Sequence, residues 1–397
     1  MARRALSWTC LGLVKALEDG AAAALDVTGA SRLQVGLSGG PDSLAMAAAL
    51  AWATGSRRGP LAGREAWAHV VDHGLQPGSA AAAQRAVDQA AQLGLRTRLT
   101  RVTVERGPAG PEADARTARL AALLDDPDAL VLLAHTLDDQ AETVLLGLAR
   151  GSGTRSLAGM APRRGRLLRP WLDYRRSDTE QACRDWGLTP WRDPANQDPA
   201  YTRSRLRRAL PALEDCLGPG LAEALARTAR LCAQDADLLE GLAERELTAR
   251  AEAESGPGPK SESRPEPGVE RLRRLPPAGW TERGPTARAE AEAEPESEPG
   301  LGAERTHRLS LAGLADLHPA LRSRVVLMWL RRAGLRDLTA DQVDAVAALV
   351  TDWHGQAPVR LGGAAITRRS DHLGLAFCPD EGPAGRSRAP DRAWVGH

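Results

Sequence analysis

Lysine is almost absent from this chain of 397 residues, because Lys15 and Lys260 are its only lysines and arginine supplies the other basic groups. With 52 basic against 51 acidic residues the net charge is +1, so a polyanionic partner would have to meet a local basic surface. The five cysteines lie far apart without C-x-x-C spacing, which argues against a disulfide framework or a cysteine zinc site. This pattern favours a reducing compartment, and we expect a cytoplasmic protein.

Long apolar runs are missing as well. No stretch of about 18 apolar residues occurs, so we expect no membrane-spanning segment and no membrane partner. Near the N-terminus Lys15, Glu18 and Asp19 interrupt what would be the apolar core of a signal peptide, and this segment predicts an amphipathic helix instead.

Predicted strands alternate with helical patterns in the first half of the chain. The strands are expected at residues 33–37, 66–71, 98–104 and 129–134. Such alternation is typical of an α/β fold with a parallel sheet covered on both faces. Polar clusters follow three of these strands, and ligands of parallel sheets lie beyond the carboxyl ends of the strands. We therefore expect one shared site at this edge of the sheet.

Composition divides the chain into five segments. An α/β domain is expected over residues 1–215, followed by a helical connector over 216–249 and a small α+β domain over 306–380. Residues 250–305 are rich in Pro, Glu and Gly, and this composition predicts a disordered insert. A disordered tail is expected over residues 381–397. In the C-terminal domain two helices are predicted, the second opened by a capping box of Thr339 and Gln342.

The hexapeptide SGGPDS joins the first predicted strand to an alanine-rich helix. It comprises Ser38, Gly39, Gly40, Pro41, Asp42 and Ser43. This turn has neither the lysine of a Walker loop nor a G-x-G-x-x-G fingerprint. Its two glycines allow a tight turn whose N–H groups and helix N-terminus face an anion, and Asp42 can hold a magnesium ion between phosphate oxygens. The full hexapeptide favours a phosphate-binding loop over a plain turn.

Carboxylates gather where the strand at residues 129–134 gives way to a helix. Asp138 and Asp139 precede Glu142 by four and three residues, a spacing that places all three on one side of the helix. Acidic residues in a first turn also complement the helix dipole, a contribution of about 0.3–1 kcal/mol each. The two aspartates alone therefore leave a catalytic and a helix-stabilising role open.

Arginines concentrate in two stretches. Residues 150–176 contain eight arginines and one acidic residue, Asp173, and residues 203–208 contain four more arginines. Guanidinium groups suit phosphate oxygens and supply salt-dependent affinity for nucleic acid. A solvated arginine surface in an arginine-biased chain explains the charge alone equally well.

Tryptophan is the main large aromatic residue of the chain. Trp171, Trp186 and Trp191 could stack on bases, but we interpret them as core residues. His354, in the segment WHGQ, is expected to shape a turn or an RNA-facing surface rather than to perform chemistry.

Taken together, these stretches resemble the tRNA(Ile)-lysidine synthases, a family of the PP-loop, or N-type, ATP pyrophosphatases. The resemblance is carried by SGGPDS, by VVDHGLQPGSA at residues 70–80, by EADARTARL at 112–120, and by LLAHTLDDQAETVLLGLARGSGTRSLAGM at 132–160. It continues through residues 169–214 and in DWHGQAPVRLGG at 352–363, and so covers nearly the whole chain outside the insert. Thr136 departs from the pattern, since members of the family often carry a second histidine there.

The resemblance implies an ATP- and Mg²⁺-dependent ligase. The C2 oxygen of the wobble cytidine of tRNA(Ile), in a CAU anticodon, attacks the α-phosphate of ATP and releases pyrophosphate. The ε-amine of free L-lysine then attacks C2, AMP leaves, and the lysidine formed switches decoding and charging from methionine to isoleucine. A C-terminal tRNA-binding domain is implied at residues 306–380, and a homodimer is left open.

The resemblance also implies the site residues. The hexapeptide binds ATP, and Asp42, Asp138 and Asp139 bind the metal. Catalytic roles fall on Asp42, Asp138, Asp139, Glu142 and Arg205. Substrate-binding roles fall on His73, Glu112, Arg116, His135, Arg203 and Arg207. Which carboxylate holds the lysine amine or accepts its proton stays open among Glu112, Glu142 and the aspartates.

Three other functions remain open at this stage. A PP-loop enzyme that makes another tRNA modification is one, although thiolases of this kind need a reactive cysteine or an iron–sulfur motif. A synthetase acting on a small molecule is the second, and the arginine-rich middle of the chain argues against it. An inactive tRNA-binding homologue is the third, and the intact Asp42, Asp138 and Asp139 argue against that.

Overall fold

The computed structural model describes residues 6–74, 78–104, 110–151, 153–191, 202–255, 307–336 and 338–377. Positions 111, 112 and 252–255 are described by their backbone alone. The chain divides into two compact units, Met1–Asp237 and Leu238–His397. Most of the predicted insert and the whole predicted C-terminal tail lie outside the described residues.

A six-stranded sheet forms the centre of the first unit. Its strands are β1 (Arg32–Leu37), β2 (Ala66–Asp72), β3 (Arg96–Arg101), β4 (Ala129–Leu132), β5 (Arg163–Arg164) and β6 (Leu167–Leu168). The strand order is β3-β2-β1-β4-β6-β5, and every pairing is parallel except that of β5 with β6. Because β1 pairs with β2 on one side and with β4 on the other, the strand order reverses at the carboxyl end of β1. That position is where ligands bind in sheets of this kind.

Nine helices of the described residues surround or follow this sheet. They are α1 (Trp8–Thr28), α2 (Pro41–Thr54), α3 (Ser79–Gln92), α4 (Pro111–Leu124), α5 (Leu137–Ala149), α6 (Thr154–Leu157), α7 (Arg176–Trp186), α8 (Thr202–Leu217) and α9 (Leu221–Ser255). The predicted parallel α/β architecture is confirmed, and so is the N-terminal helix.

The alanine-rich composition of α2 follows from its position in the core. Ala45, Ala47 and Ala49 are fully buried, and so are Leu44 and Leu50. A helix buried nearly all round can pack against a sheet and neighbouring helices only if many of its side chains are small. This close packing places the first turn of α2, and with it Asp42, directly after β1.

The strand boundaries differ slightly from those predicted. The strand expected at residues 98–104 runs from Arg96 to Arg101, and the strand expected at 129–134 ends at Leu132. Leu133 still donates its backbone N–H to the carbonyl of Leu168, so the contact with β6 continues past the end of β4. The helical connector predicted over residues 216–249 takes in the end of α8 and most of α9. Because α9 continues to Ser255, the first residues of the predicted disordered insert are helical.

The second unit is a small α+β domain, as predicted. It contains β7 (His307–Ser310), α10 (Pro319–Arg332), α11 (Ala340–Thr351), β8 (Val359–Leu361), β9 (Ala364–Arg368) and β10 (His372–Phe377). The strands form an antiparallel sheet in the order β7-β10-β9-β8. Its core includes Trp329, Val346 and Ile366. The predicted capping box opens α11, where the Thr339 hydroxyl accepts from the backbone N–H of Gln342.

The structure agrees with the interpretations of Trp171 and His354. Trp171 is fully buried and donates its indole N–H to the carbonyl of Leu13, which makes it a core residue. His354 lies in a turn in which its backbone N–H donates to the Gln356 side chain. Among the described residues, no helix is long and apolar enough to cross a membrane.

The loop that follows α6 is fastened to α5 by one buried side chain. The Gln140 amide accepts from the backbone N–H of Met160 at 2.7 Å and donates to the carbonyl of the same residue at 3.1 Å. Gly159, just before Met160, has a positive φ of 64°, and a Cβ atom there would lie 2.6 Å from the Gln140 side-chain oxygen. The absence of a side chain at Gly159 therefore permits this attachment.

Gly159→Ala should lower the free energy of unfolding by about 2–4 kcal/mol, because the added methyl group overlaps a buried amide and the backbone conformation is strained. Gly165→Ala is the matched control, since Gly165 has a φ of 57° but no atom within 4 Å of the added Cβ. The control should lose about 1 kcal/mol from backbone strain alone. Urea unfolding of both variants measures the difference, and equal losses would contradict the role given to Gln140.

Candidate active site

The SGGPDS loop lies between β1 and α2, at the carboxyl edge of the sheet. The Ser43 hydroxyl accepts from the backbone N–H of Ser38 at 3.1 Å and donates to the carbonyl of Gly40 at 3.1 Å. Gly39 has a φ of 82°, a conformation that residues with a side chain rarely adopt. Pro41 occupies the first position of α2, where a missing N–H costs no helical hydrogen bond. The loop thus forms a tight turn at the N-terminus of α2, a position at which phosphate groups bind.

Asp42 is the charged residue of this loop, and two residues of α7 hold it. The hydroxyl of Thr179 donates to one of its carboxylate oxygens, and Nε of Arg176 lies 3.6 Å from the other. Burial raises the pKa of Asp42 to about 6, and the negative charge of Asp139 acts in the same direction. Thr179 and Arg176 oppose this rise, so a further cation would stabilise the ionised form.

The carboxylates of the second predicted cluster surround the first turn of α5. Asp139 accepts from the backbone N–H of Thr136 at 2.9 Å and from its hydroxyl at 3.0 Å, which caps the helix. Burial raises the pKa of Asp139, but Arg176, the Thr136 N–H and other charged groups outweigh it and hold the pKa below its usual value. Asp139 therefore stabilises the N-terminus of α5, and the N–H and hydroxyl of Thr136 are the groups that it binds.

Glu142 lies one turn further along α5 and is fully buried. Nε of Arg207, on α8, lies 2.8 Å from one of its carboxylate oxygens, and Arg207 Nη2 lies 3.3 Å from the other. The guanidinium group of Arg176 completes the arrangement, since its Nη2 atom lies 2.8 Å from Asp139 and 3.5 Å from Glu142. Arg176 thus joins the loop of β1–α2 to two carboxylates of α5.

Asp138 is held separately from the other carboxylates. It accepts from the backbone N–H of Arg176 at 2.7 Å and from Nη1 of Arg175 at 3.1 Å. Arg175 also forms ion pairs with Glu214 and Glu223. The start of α7 is therefore fixed to the start of α5 by a network of charged hydrogen bonds.

Part of the first arginine stretch turns inward. Arg166 donates to the backbone carbonyls of Leu124, Asp126 and Ala129, and Arg169 is 7% exposed. Arg166 and Arg169 therefore bind backbone carbonyls of the interior, whereas Arg175 and Arg176 bind carboxylates of the site. Charge density along the sequence does not separate these four arginines from exposed ones.

The second arginine stretch is helical, so its members point in different directions. Arg207 reaches Glu142, whereas Arg205 is exposed and donates to the side chain of Thr202 at 3.0 Å. Arg203 lies near the start of the same helix. An irregular segment would have placed all three on one side.

The remaining predicted residues lie at the same edge of the sheet. His73 follows β2, and His135 follows β4 immediately before the Thr136 cap. Arg116 lies on α4, and Glu112 lies in its first turn with only its backbone described. Their roles stay predictions.

The carboxylates suit a magnesium ion. Mg²⁺ takes oxygen ligands and is usually held by one or two carboxylates together with substrate phosphates and water. The carboxylates of Asp42 and Asp139 repel each other, and this repulsion contributes to the raised pKa of Asp42. A divalent cation between them would relieve it. In the described part of the chain no group of three or more His, Cys, Asp or Glu side chains forms a complete metal site. The donors therefore fit a magnesium ion bound jointly with a phosphate-containing ligand.

Comparison with known proteins identifies both units. The family described as PP-loop domain matches residues 14–213, and the TilS substrate binding domain matches residues 309–373. A tRNA(Ile)-lysidine synthase of Leifsonia xyli subsp. xyli is 44% identical over 348 residues, which cover 85% of this chain and 88% of that protein. The synthase of Thermobifida fusca is also 44% identical, over 87% of this chain and 91% of its own. That of Mycobacterium tuberculosis H37Rv is 42% identical over 83% and 84%.

Arg207→Gln should lower the free energy of unfolding by about 1–3 kcal/mol, because it removes the closest cation from a buried carboxylate. The expected loss is below that of a fully buried pair, since the Arg207 side chain is 37% exposed. Arg208→Gln is the control on the next residue, which is exposed, and it should stay within about 0.5 kcal/mol of the unmodified protein. Urea unfolding distinguishes them, and a loss of similar size in both variants would contradict the geometry.

Proposed function

This chain belongs to the tRNA(Ile)-lysidine synthase family, and from that premise we propose that it joins free lysine to C2 of the wobble cytidine of tRNA(Ile) bearing a CAU anticodon. Membership makes it an ATP-dependent ligase with tRNA as its substrate. The observation that carries the finer proposal is the junction at Arg176, which holds the loop of Asp42 against Asp139 and Glu142. A tRNA substrate also supports the predicted cytoplasmic location, and a homodimer remains a prediction.

The first step is adenylation of the cytidine. The C2 oxygen forms a bond to the α-phosphorus of ATP, the bond to the β-phosphate oxygen breaks, and pyrophosphate leaves. The backbone N–H groups of the SGGPDS loop and the Ser38 and Ser43 hydroxyls bind the departing phosphates. A magnesium ion held by Asp42 and Asp139 would supply the positive charge that neutralises the triphosphate.

The second step is attack by lysine. Its ε-amine forms a bond to the activated C2, the bond from C2 to oxygen breaks, and AMP leaves with that oxygen. The amine must lose a proton, and a carboxylate near the reacting carbon can accept it. Glu142 is the candidate best placed on α5, although Arg207 then has to move away from it. Glu112, Asp138 and Asp139 remain candidates for holding the ammonium group.

Arg205 and Arg207, two of the four arginines of α8, are proposed to have different roles. Arg207 lies within the carboxylate cluster, and we assign it to orienting Glu142 until the substrates displace it. Arg205 is exposed, and we propose that it contacts the α-phosphate or the anticodon when ATP and tRNA bind at this surface. Arg203, His73, Arg116 and His135 are proposed to bind the substrates.

Labelled lysine, ATP with Mg²⁺ and a tRNA(Ile) transcript with the CAU anticodon test the proposal. Label should enter this tRNA and not the initiator-type tRNA(Met) with the same anticodon. Asp42→Asn should reduce pyrophosphate release and labelling by about 100-fold or more, because the lost charge faces the phosphates. Asp173→Asn is the matched control, since Asp173 is 83% exposed, and it should label normally. Absence of label with the unmodified enzyme, or full activity of Asp42→Asn, would refute the proposal.

A further inference from the structure

The turn at residues 352–356, which follows α11, has no role in the proposed reaction, yet it is tightly built. Nε2 of Gln356 donates to the backbone carbonyl of Asp352 at 2.7 Å and so closes the turn. Gly355 has a φ of 88°, a left-handed conformation that glycine adopts readily. Trp353 lies within this closed turn, so its backbone is held in one conformation.

The indole ring of Trp353 is fixed as well, although the residue is 41% exposed. The guanidinium group of Arg368, on β9, lies over the ring with its central carbon 5.7 Å from the ring centroid. Arg368 is anchored in turn, because its Nη1 atom donates to the carbonyls of Leu349 and Val350 at 2.7 and 3.0 Å, in the last turn of α11. The ring therefore keeps a defined orientation while much of it stays in contact with solvent.

A pocket of about 180 Å³ adjoins this ring. Besides Trp353 it is lined by two buried aliphatic residues, Leu349 and Ile366, and by exposed residues that include Ala357, Pro358 and Arg369. An apolar cavity of about 150 Å³ is large enough to hold one benzene ring. The pocket therefore has room for a single planar ring beside the indole.

The charge of this part of the chain favours an anionic ligand. Residues 307–377 contain nine arginines and six acidic residues, a surplus of three positive charges, whereas the whole chain has a net charge of +1. Arg369 brings one of these guanidinium groups to the pocket itself. A nucleotide unit combines a flat base with a phosphate group, and guanidinium groups suit phosphate oxygens.

We propose that this pocket binds one unpaired base of the tRNA, which stacks on the indole ring of Trp353 while Arg369 contacts the adjacent phosphate. This inference rests on the proposed function, in which tRNA is the substrate. The family match assigns substrate binding to residues 309–373 as a whole, and the pocket adds a place and a mode of contact.

The lining of the pocket favours a base over a stretch of RNA backbone. An aromatic ring and two buried aliphatic side chains offer little to a phosphate, whereas every base has a π face that can stack on an aromatic ring. In paired A-form RNA the bases are stacked within the helix, so only an unpaired base can bring its face to such a pocket. We therefore expect the pocket to add affinity for folded tRNA without reading a particular base.

The test compares Trp353→Leu with Trp353→Phe in binding titrations of the full chain with the CAU tRNA(Ile) transcript at several salt concentrations. Leucine keeps an apolar side chain but removes the ring, so the Kd for tRNA should rise about 5- to 100-fold. Phenylalanine restores a ring, and its Kd should stay within about threefold of that of the unmodified protein. The salt dependence should be unchanged in both variants, because stacking releases no counterions, whereas Arg369→Gln should reduce the salt slope by about one.

Phe377→Ala is the matched control. Phe377 is an aromatic residue of the same unit with a similar exposure of 45%, and it pairs with Ala364 at the start of β9, whereas Arg368 ends that strand. This variant should bind tRNA like the unmodified protein.

Unchanged tRNA binding in Trp353→Leu would overturn the proposal. So would equal weakening in Trp353→Leu and Trp353→Phe, since that result would give Trp353 a structural role, and so would a reduced salt slope in Trp353→Leu, since that result would assign the pocket to RNA phosphate. Failure of the unmodified enzyme to transfer lysine would instead reject the proposed function, and the tRNA titrations would still decide on the pocket.

Discussion

The guanidinium group of Arg176 is the interaction on which the candidate site depends. It lies among the carboxylates of Asp42, Asp139 and Glu142, which come from two different helices and would repel one another without it. Its own backbone N–H binds a fourth carboxylate, that of Asp138. Burying this many negative groups is costly unless each has a cation or a donor close by. In the proposed reaction a magnesium ion or a substrate ammonium group would take the place of this protein cation.

The topology of the sheet explains why these groups meet. The loop after β1 and the turn after β4 belong to neighbouring parallel strands, so their helices begin side by side at one edge. α7 then returns across α2 and supplies Thr179 and Arg176 to Asp42.

Sequence reasoning located the features that have local signals. The SGGPDS turn after an apolar strand, the carboxylates of α5 and, in the second unit, the capping box at Thr339 each depend on residues a few positions apart. It did not recover Thr179, which binds Asp42 across 137 positions, and it placed Arg176 only within a general basic stretch. Partners so distant along the chain leave no periodic signal. It also did not separate Arg205 from Arg207, because that distinction depends on the helical phase of α8 and on a contact 65 residues away.

The most direct test of the Arg176 junction is a double-mutant cycle with Arg176→Gln and Asp139→Asn, read as free energies of unfolding of the full chain in urea without ATP or metal. If Arg176 holds the two helices together through these carboxylates, the losses should be non-additive, with a coupling energy of at least about 1 kcal/mol. The same cycle with Arg184→Gln, on the exposed side of α7, provides the reference and should be additive. Additive losses for Arg176 and Asp139, within about 0.5 kcal/mol, would contradict the central place given to this ion pair.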